Sequence, residues 1–303
     1  MADKAHIWTD EKLEEMERHL SAIYSKARKE VGETWTQYMK ESAKELEELQ
    51  EAYDLAKKSG DKDEIKRTGK ALGKAKREVT IKNKHYKALT ESLAREISHV
   101  NETAVAYIND QLPEVYALNY NALKESVDGV GGYVFELVDA DTIKHLALTD
   151  KSLLPYKKLD LRKDIPWNMK KINSEVLQGI IQGESMDKIA KRIGNVQEMN
   201  KNASIRTART IVTGAENKGR FDSYQRATDD GIILEKEWIA TPGKRTRDWH
   251  AELDKETKPI DRPFSNSIGL IMFPGDPGAH PSNVYNCRCS MAARVLGFKK
   301  VKR

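Results

Sequence analysis

Residues 13–38 read LEEMERHLSAIYSKARKEVGETWTQY, and their apolar positions fall at Leu13, Met16, Leu20, Ile23, Ala27, Val31, Trp35 and Tyr38. Steps of three and four place these side chains on one stripe of a helix, because successive residues turn by about 100°. The pattern extends outward through Leu46, Leu49 and Tyr53, and 9–58 holds no proline and one glycine. One long helix is therefore expected. KSGDKDE interrupts it, with Gly60 as a C-terminal stop and Asp61 or Asp63 as the next N-cap. A second stripe follows at Leu72, Val79, Tyr86, Leu89, Leu93, Ile97, Val100, Ala104 and Ile108. Its near-heptad spacing predicts a second helix over 62–110, paired with the first as an antiparallel, coiled-coil-like hairpin. Pro113 is expected to end or offset that helix.

Further along, VDGVGGYVFELVD at 127–139 reads as a glycine-rich turn and a short strand, and 142–158 fits either helix or loop. Helical signals return with Pro166 near a helix start. Ser185 reads as an N-cap for a helix ended by Gly194, and 202–230 as another, with Ile205, Ala208, Ile211, Val212, Ala215 and Phe221 on its apolar face and Gly231 closing it. IILEKEWIA is strand-like, and a final strand is entered through VYNCRC at 284–289. The expected fold is mainly α: a long helical hairpin region at 1–125, a connecting segment at 126–164, and a small α+β, loop-rich module at 165–303.

Composition narrows the function classes. Of 303 residues, 33% are charged and 7% aromatic, and Lys and Arg number 52 against 47 Asp and Glu, for a net +5. The mean hydropathy is −0.69 and the pI near 8.9. Such polarity suits long solvated helices, and the mild basic excess is compatible with nucleic acid without requiring it. No run approaches eighteen apolar residues, so no membrane span is expected, and the N-terminal residues lack the apolar region of a signal peptide. Two cysteines make no disulfide framework, and a reducing compartment is expected.

Those cysteines, Cys287 and Cys289, are one residue apart. A bridge between them would close a strained small ring, whereas two thiolates so placed can face one metal ion. Asp248 and His250 in RTRDWHAELD would share a face if that segment were extended. His280, in GAHPSN, is a further candidate ligand. Zinc held by Cys287, Cys289 and His250, with Asp248 as the preferred fourth ligand and His280 or water as alternatives, would order a segment rich in turn-formers. The alternative is two packed thiols and a half-buried histidine. No phosphate loop, nucleophile elbow or HExxH motif occurs. A zinc hydrolase using Glu252 as base has nothing to hold that base in place.

Taken in order, ARTIVTGAENKGR (208–220), EWIATPGKRTRDWHAELD (237–254), PIDRPF (259–264) and MFPGDPGAHPSNVYNCRC (272–289) resemble the phage Mu F-like head-morphogenesis domain of minor capsid proteins of tailed bacteriophages. Ala208, Arg209, Thr210, Asn217, Gly219, Trp238, Arg245, Arg247, His250, Leu253, Asp254, Pro274, Asn286, Cys287 and Cys289 sit on the pattern. Lys255 departs from it, where many relatives carry glycine. The resemblance covers roughly 165–292. It implies a non-enzymatic virion protein of the head interior near the portal, assembled in the host cytoplasm. It also implies the portal protein, the major capsid or scaffolding protein and the genome as partners. An apolar stripe wider than a two-helix seam suits docking on another protein. Non-specific binding to double-stranded DNA is the companion reading, through the tail cations Lys299, Lys300, Lys302 and Arg303.

Overall fold

The structure, a computed structural model, describes residues 4–78, 84–182, 184, 186–243 and 246–299. Ser185, Arg245, Lys300, Lys302 and Arg303, singled out above, lie outside the described residues. Helices dominate, joined near the C-terminal end by a small antiparallel sheet. Cα packing resolves two units: one of residues 1–20, 105–158 and 203–303, the other of 21–104 and 159–202.

The second unit is a helical core. Helix α1 spans Lys4–Ser59, and Gly60, at φ 76°, donates its N–H to Ala56. Asp61 caps the next helix, α2 (Lys62–Glu78), accepting from the N–H groups of Asp63 and Glu64. The single second helix expected over 62–110 is α2 followed by α3 (Lys84–Asn121), and Val79 lies outside the described residues. Near its C-terminal end α1 meets α2 closely: a Cβ on Gly69 would stand 3.0 Å from the Tyr53 ring. The α1 stripe runs through Tyr24 rather than Ile23.

Val31 and Trp35 pack with Tyr86, Leu93, Ala94 and Ile97 of α3, but two helices do not close this core. Ile172 and Val176 of α6 (Leu161–Ile181) and Ile189, Ile193 and Val196 of α7 (Met186–Asp229) complete it. The width that suggested an outside partner is thus covered, along this stretch, by the unit's own helices. A polar ladder sets the register. Tyr24 donates to Asn101, Asn101 to Asn200 and Asp164, and Asn200 to Asn168, at 2.7–2.9 Å. Gly194 does not end a helix. It gives Arg28 room beside α7, since a Cβ there would stand 2.7 Å from the Arg28 Nε.

In the first unit, Pro113 lies inside α3 and does not end it. It forfeits one backbone hydrogen bond, yet its neighbours Leu112, Val115 and Tyr116 are buried and hold the helix in place. A helical turn, α4 (Lys124–Val127), leads into the segment 127–139, which holds a 3₁₀ turn at Val130–Gly132 and no strand. Asp139 then caps α5 (Ala140–Thr149), so the stretch 142–158 is helix as far as Thr149 and turns and irregular chain beyond it.

Helix α7 is so enclosed from 212 to 217 that every residue is buried. Gly219 permits this approach, since a Cβ there would lie 2.4 Å from the Tyr116 carbonyl oxygen of α3. Gly231, at φ 100°, ends the run and starts β1 (Ile232–Ile239). Strand β1 is central, antiparallel to β2 (Thr257–Pro259) on one side and β5 (Ser290–Phe298) on the other. A separate ribbon pairs β3 (Phe264–Asn266) with β4 (Gly269–Ile271).

The period-two alternation of β1 turns Ile232, Leu234, Lys236 and Trp238 inward. Lys236 is therefore a fully buried cation on an apolar face. Its Nζ donates to the carbonyls of Ile260 (3.1 Å) and Met272 (2.8 Å) and lies 5.1 Å and 5.3 Å from the Phe221 and Phe264 ring centres. Burial lowers its pKa from 10.5 to about 8, with Asp261 and Asp276 opposing. The native state therefore releases this proton before the unfolded chain does. Between pH 8 and 10.5 the unfolded chain binds more protons, so this group's contribution makes stability rise with pH. Urea unfolding at several pH values should show the stability of the native protein rising relative to Lys236→Met across that window. A difference independent of pH would contradict the buried-cation assignment.

Candidate metal centre

Three residues of one face of α7 build the platform. Thr210, Thr213 and Asn217 follow at steps of three and four, and each bonds the backbone that carries the cysteines. Thr210 Oγ1 accepts from the Asn286 N–H (2.8 Å), Thr213 Oγ1 donates to the Cys287 carbonyl (2.7 Å), and Asn217 Nδ2 donates to the Cys289 carbonyl (3.1 Å). Asn286 takes φ 55°, a left-handed value that asparagine tolerates better than most residues. This strap accounts physically for the threonine and asparagine of the ARTIVTGAEN stretch.

Opposite the cysteines, a single helical turn, α8 (Asp248–Ala251), presents His250. Cys287, Cys289 and His250 are 1–2% exposed, and the thiols are unbridged. The His250 Nδ1 lies 3.5 Å from the Cys287 sulfur and 3.7 Å from the Cys289 sulfur, and all three donor atoms fall within 4.8 Å of one another. Asp248 is exposed and does not join them. An extended segment would align Asp248 with His250, but in the helical turn of α8 positions i and i+2 point to nearly opposite sides. His280 is exposed too; its Nδ1 accepts the Ser282 N–H and so caps α9 (Pro281–Val284).

A chain of hydrogen bonds sets the histidine's tautomer. The N–H groups of Ile268 and Gly269 both donate to Asn266 Oδ1, which fixes that amide's orientation. Asn266 Nδ2 therefore donates to Asn283 Oδ1 (3.1 Å), and Asn283 Nδ2 returns a bond to Asn266 Oδ1 (3.3 Å). With Asn283 Oδ1 fixed as an acceptor, the His250 Nε2 facing it at 3.3 Å carries the proton. The Nδ1 lone pair is left facing the two sulfurs. This is the arrangement a metal-ligating imidazole needs, with one nitrogen bare and the other held from behind.

The sulfurs are prepared as well. The Cys289 N–H donates to the Cys287 sulfur (3.4 Å), and the Thr241 backbone donates to the Cys289 sulfur. The hydrogen bond from Cys287 lowers the Cys289 pKa to about 5, while that same bond and burial push Cys287 well up. Without a metal the pair shares one proton. A cation would displace it and hold both thiolates. His250, Cys287 and Cys289 thus fit a borderline-soft ion such as zinc in ligand type and protonation.

The surroundings are more apolar than the turn-rich sequence suggests. Trp238, Leu253, Phe264 and Ile271 pack with both cysteines, and the Trp238 ring meets His250 edge-on at 5.3 Å. Lys255 holds φ 65° and donates its N–H to the Trp238 carbonyl, so the left-handed turn persists without the glycine that many relatives are expected to carry. Asn283, Asn266 and Lys236 escaped sequence reasoning. The inward-facing parity of Lys236 on β1 was the one signal available for any of them.

Residues 170–292, from within α6 to the start of β5, match the model of the family described as Phage Mu protein F like protein. The resemblance read from the motifs is borne out over this stretch. The protein named Minor head protein GP7 of Bacillus phage SPP1 is 22% identical over 290 residues, covering 94% of this chain and 87% of its own length. The NAD(+)--arginine ADP-ribosyltransferase EFV of Enterococcus faecalis (strain ATCC 700802 / V583) is 30% identical over 131 residues, 42% of this chain; the chain spans 26% of that relative's length. No solved structure matches. The family model and the Bacillus phage relative both belong to phage proteins, and that relative is named a minor head protein. Among the described residues, no helix is long and apolar enough to cross a membrane.

Proposed function

We propose that this chain is a minor head protein that joins the procapsid at the portal and acts in head assembly and in packaging or delivery of DNA. It does so as a structural component, not as an enzyme. The observation that carries the reading is the near full-length likeness to a minor head protein, which takes in the long helices as well as the cysteine module. The portal protein and the major capsid or scaffolding protein are its proposed partners, and double-stranded DNA is held non-specifically. Lys299 is exposed at the end of β5, where a basic tail would start. His250, Cys287 and Cys289 hold a structural zinc ion, which when bound ties α8 to the entry of β5. The chain's own residues supply the strap, the bare Nδ1 and the amide bonds to sulfur.

Deleting the gene product should leave capsid shells able to form but give particles defective in DNA content or infectivity. The purified protein should associate with portal rings. Normal infectious particles without it would overturn the reading. So would turnover of a nucleotide, phosphodiester or peptide substrate at a rate lost in His250→Ala.

A further inference from the structure

His250, Cys287 and Cys289 also form part of the wall of a cleft of about 320 Å³. Tetrahedral zinc takes four ligands, and among the described residues no fourth His, Cys, Asp or Glu joins the three. A metal held by them therefore borders the cleft with a coordination position to fill. The same cleft is lined by Arg209, Arg247 and Arg288. Glu17 engages Arg209 through two bonds, at 2.6 and 2.8 Å. The other two are less committed. Arg247 donates Nη2 to the Tyr285 carbonyl, and Arg288 reaches Asp10 with Nη2 at 3.4 Å. The Arg288 Nε is buried without a partner.

The charges decide what fits. Three guanidinium groups face two carboxylates, Asp10 and Glu17, and a divalent ion balances two thiolates. One net positive charge remains, together with fixed N–H donors whose fork geometry matches an oxyanion. A buried donor left unpaired is costly, so the Arg288 guanidinium is not fully satisfied by the protein's own groups. A thiol or imidazole ligand would leave the arginines unanswered.

We infer that this cleft binds a phosphate-type oxyanion, which fills the metal's fourth position and is held by Arg247 and Arg288. The inference rests on the metal reading above. The phosphate belongs either to a nucleic-acid backbone or to a small phosphorylated species.

Cobalt(II) substitution separates the two ideas, since its visible absorption reports the ligand set. The cobalt-loaded full chain would be titrated at constant ionic strength with inorganic phosphate, with a short DNA duplex and with acetate, with calorimetry in parallel. Phosphate or duplex should shift the cobalt bands saturably, the stronger of the two identifying the source. Arg247→Gln and Arg288→Gln should each weaken that response about tenfold while cobalt content stays the same, the effect of one lost charge-assisted bond. A protein that takes up no cobalt would sink the metal reading itself. Stoichiometric cobalt with no response to phosphate or duplex would overturn the anion site alone. An equal response to acetate, or an affinity in both arginine variants unchanged from that of the native protein, would also overturn it.

Discussion

Cys289→Ser is expected to strip the metal from the protein and to open residues 241–289 to proteolysis, leaving the α1–α3 helices resistant. A serine hydroxyl stays protonated near neutral pH and is a poor zinc ligand, so the site drops from three protein donors to two. Structural zinc contributes about 10–16 kcal/mol of apparent binding free energy in zinc-finger peptides. Here the module keeps Trp238, Leu253, Phe264 and Ile271 as a core of its own, so only part of that ceiling should appear as lost order. The loosened segment should begin at Thr241, whose backbone supports the Cys289 sulfur, and include α8. The helix platform of Thr210, Thr213 and Asn217 should persist. Limited proteolysis with mass mapping is the check, and a digest identical to that of the native protein would count against a stapling metal.

The second large effect lies in the helical unit. Leu93 is fully buried among Trp35, Ile172 and Ile193, whereas Lys87, less than two turns away on α3, is exposed. Leu93→Ala should cost about 2–5 kcal/mol, the lost transfer free energy plus the cavity left behind. Lys87→Ala should stay within about 0.5 kcal/mol, as exposed substitutions do. Denaturant unfolding followed by helical circular dichroism measures both. Equal losses at the two sites would refute the assigned stripe.

Period and punctuation made much of this fold legible. The α1 stripe, the Gly60 stop, the Asp61 cap and both strands of the central pairing follow from local rules that packing reinforces. Legibility failed where tertiary contact overrode a local signal. Gly194 reads as a helix end, yet serves the close approach of Arg28. Pro113 reads as a break, yet sits in a helix held by buried neighbours. The two stripes read as a closed hairpin, but the residues that complete their core come from α6 and α7, some 80 to 160 residues further along the chain.

The candidate site shows the same division. Cys287, Cys289 and His250 could be named from chemistry and motif order. The fourth ligand could not, because the choice of Asp248 depended on a strand geometry that α8 does not have. The Asn266–Asn283–His250 relay that sets the tautomer joins three segments with no common period or motif.

Elemental analysis of the full chain, purified from a reducing cytoplasm without chelators, tests the metal centre most directly. The tautomer fixed by Asn283, the amide-supported sulfurs and the convergence of three buried donors predict close to one zinc per chain in the native protein, and close to none in Cys289→Ser. A folded native protein free of metal would contradict the account, leaving Cys287 and Cys289 as packed thiols and His250 as a histidine held by Asn283 alone.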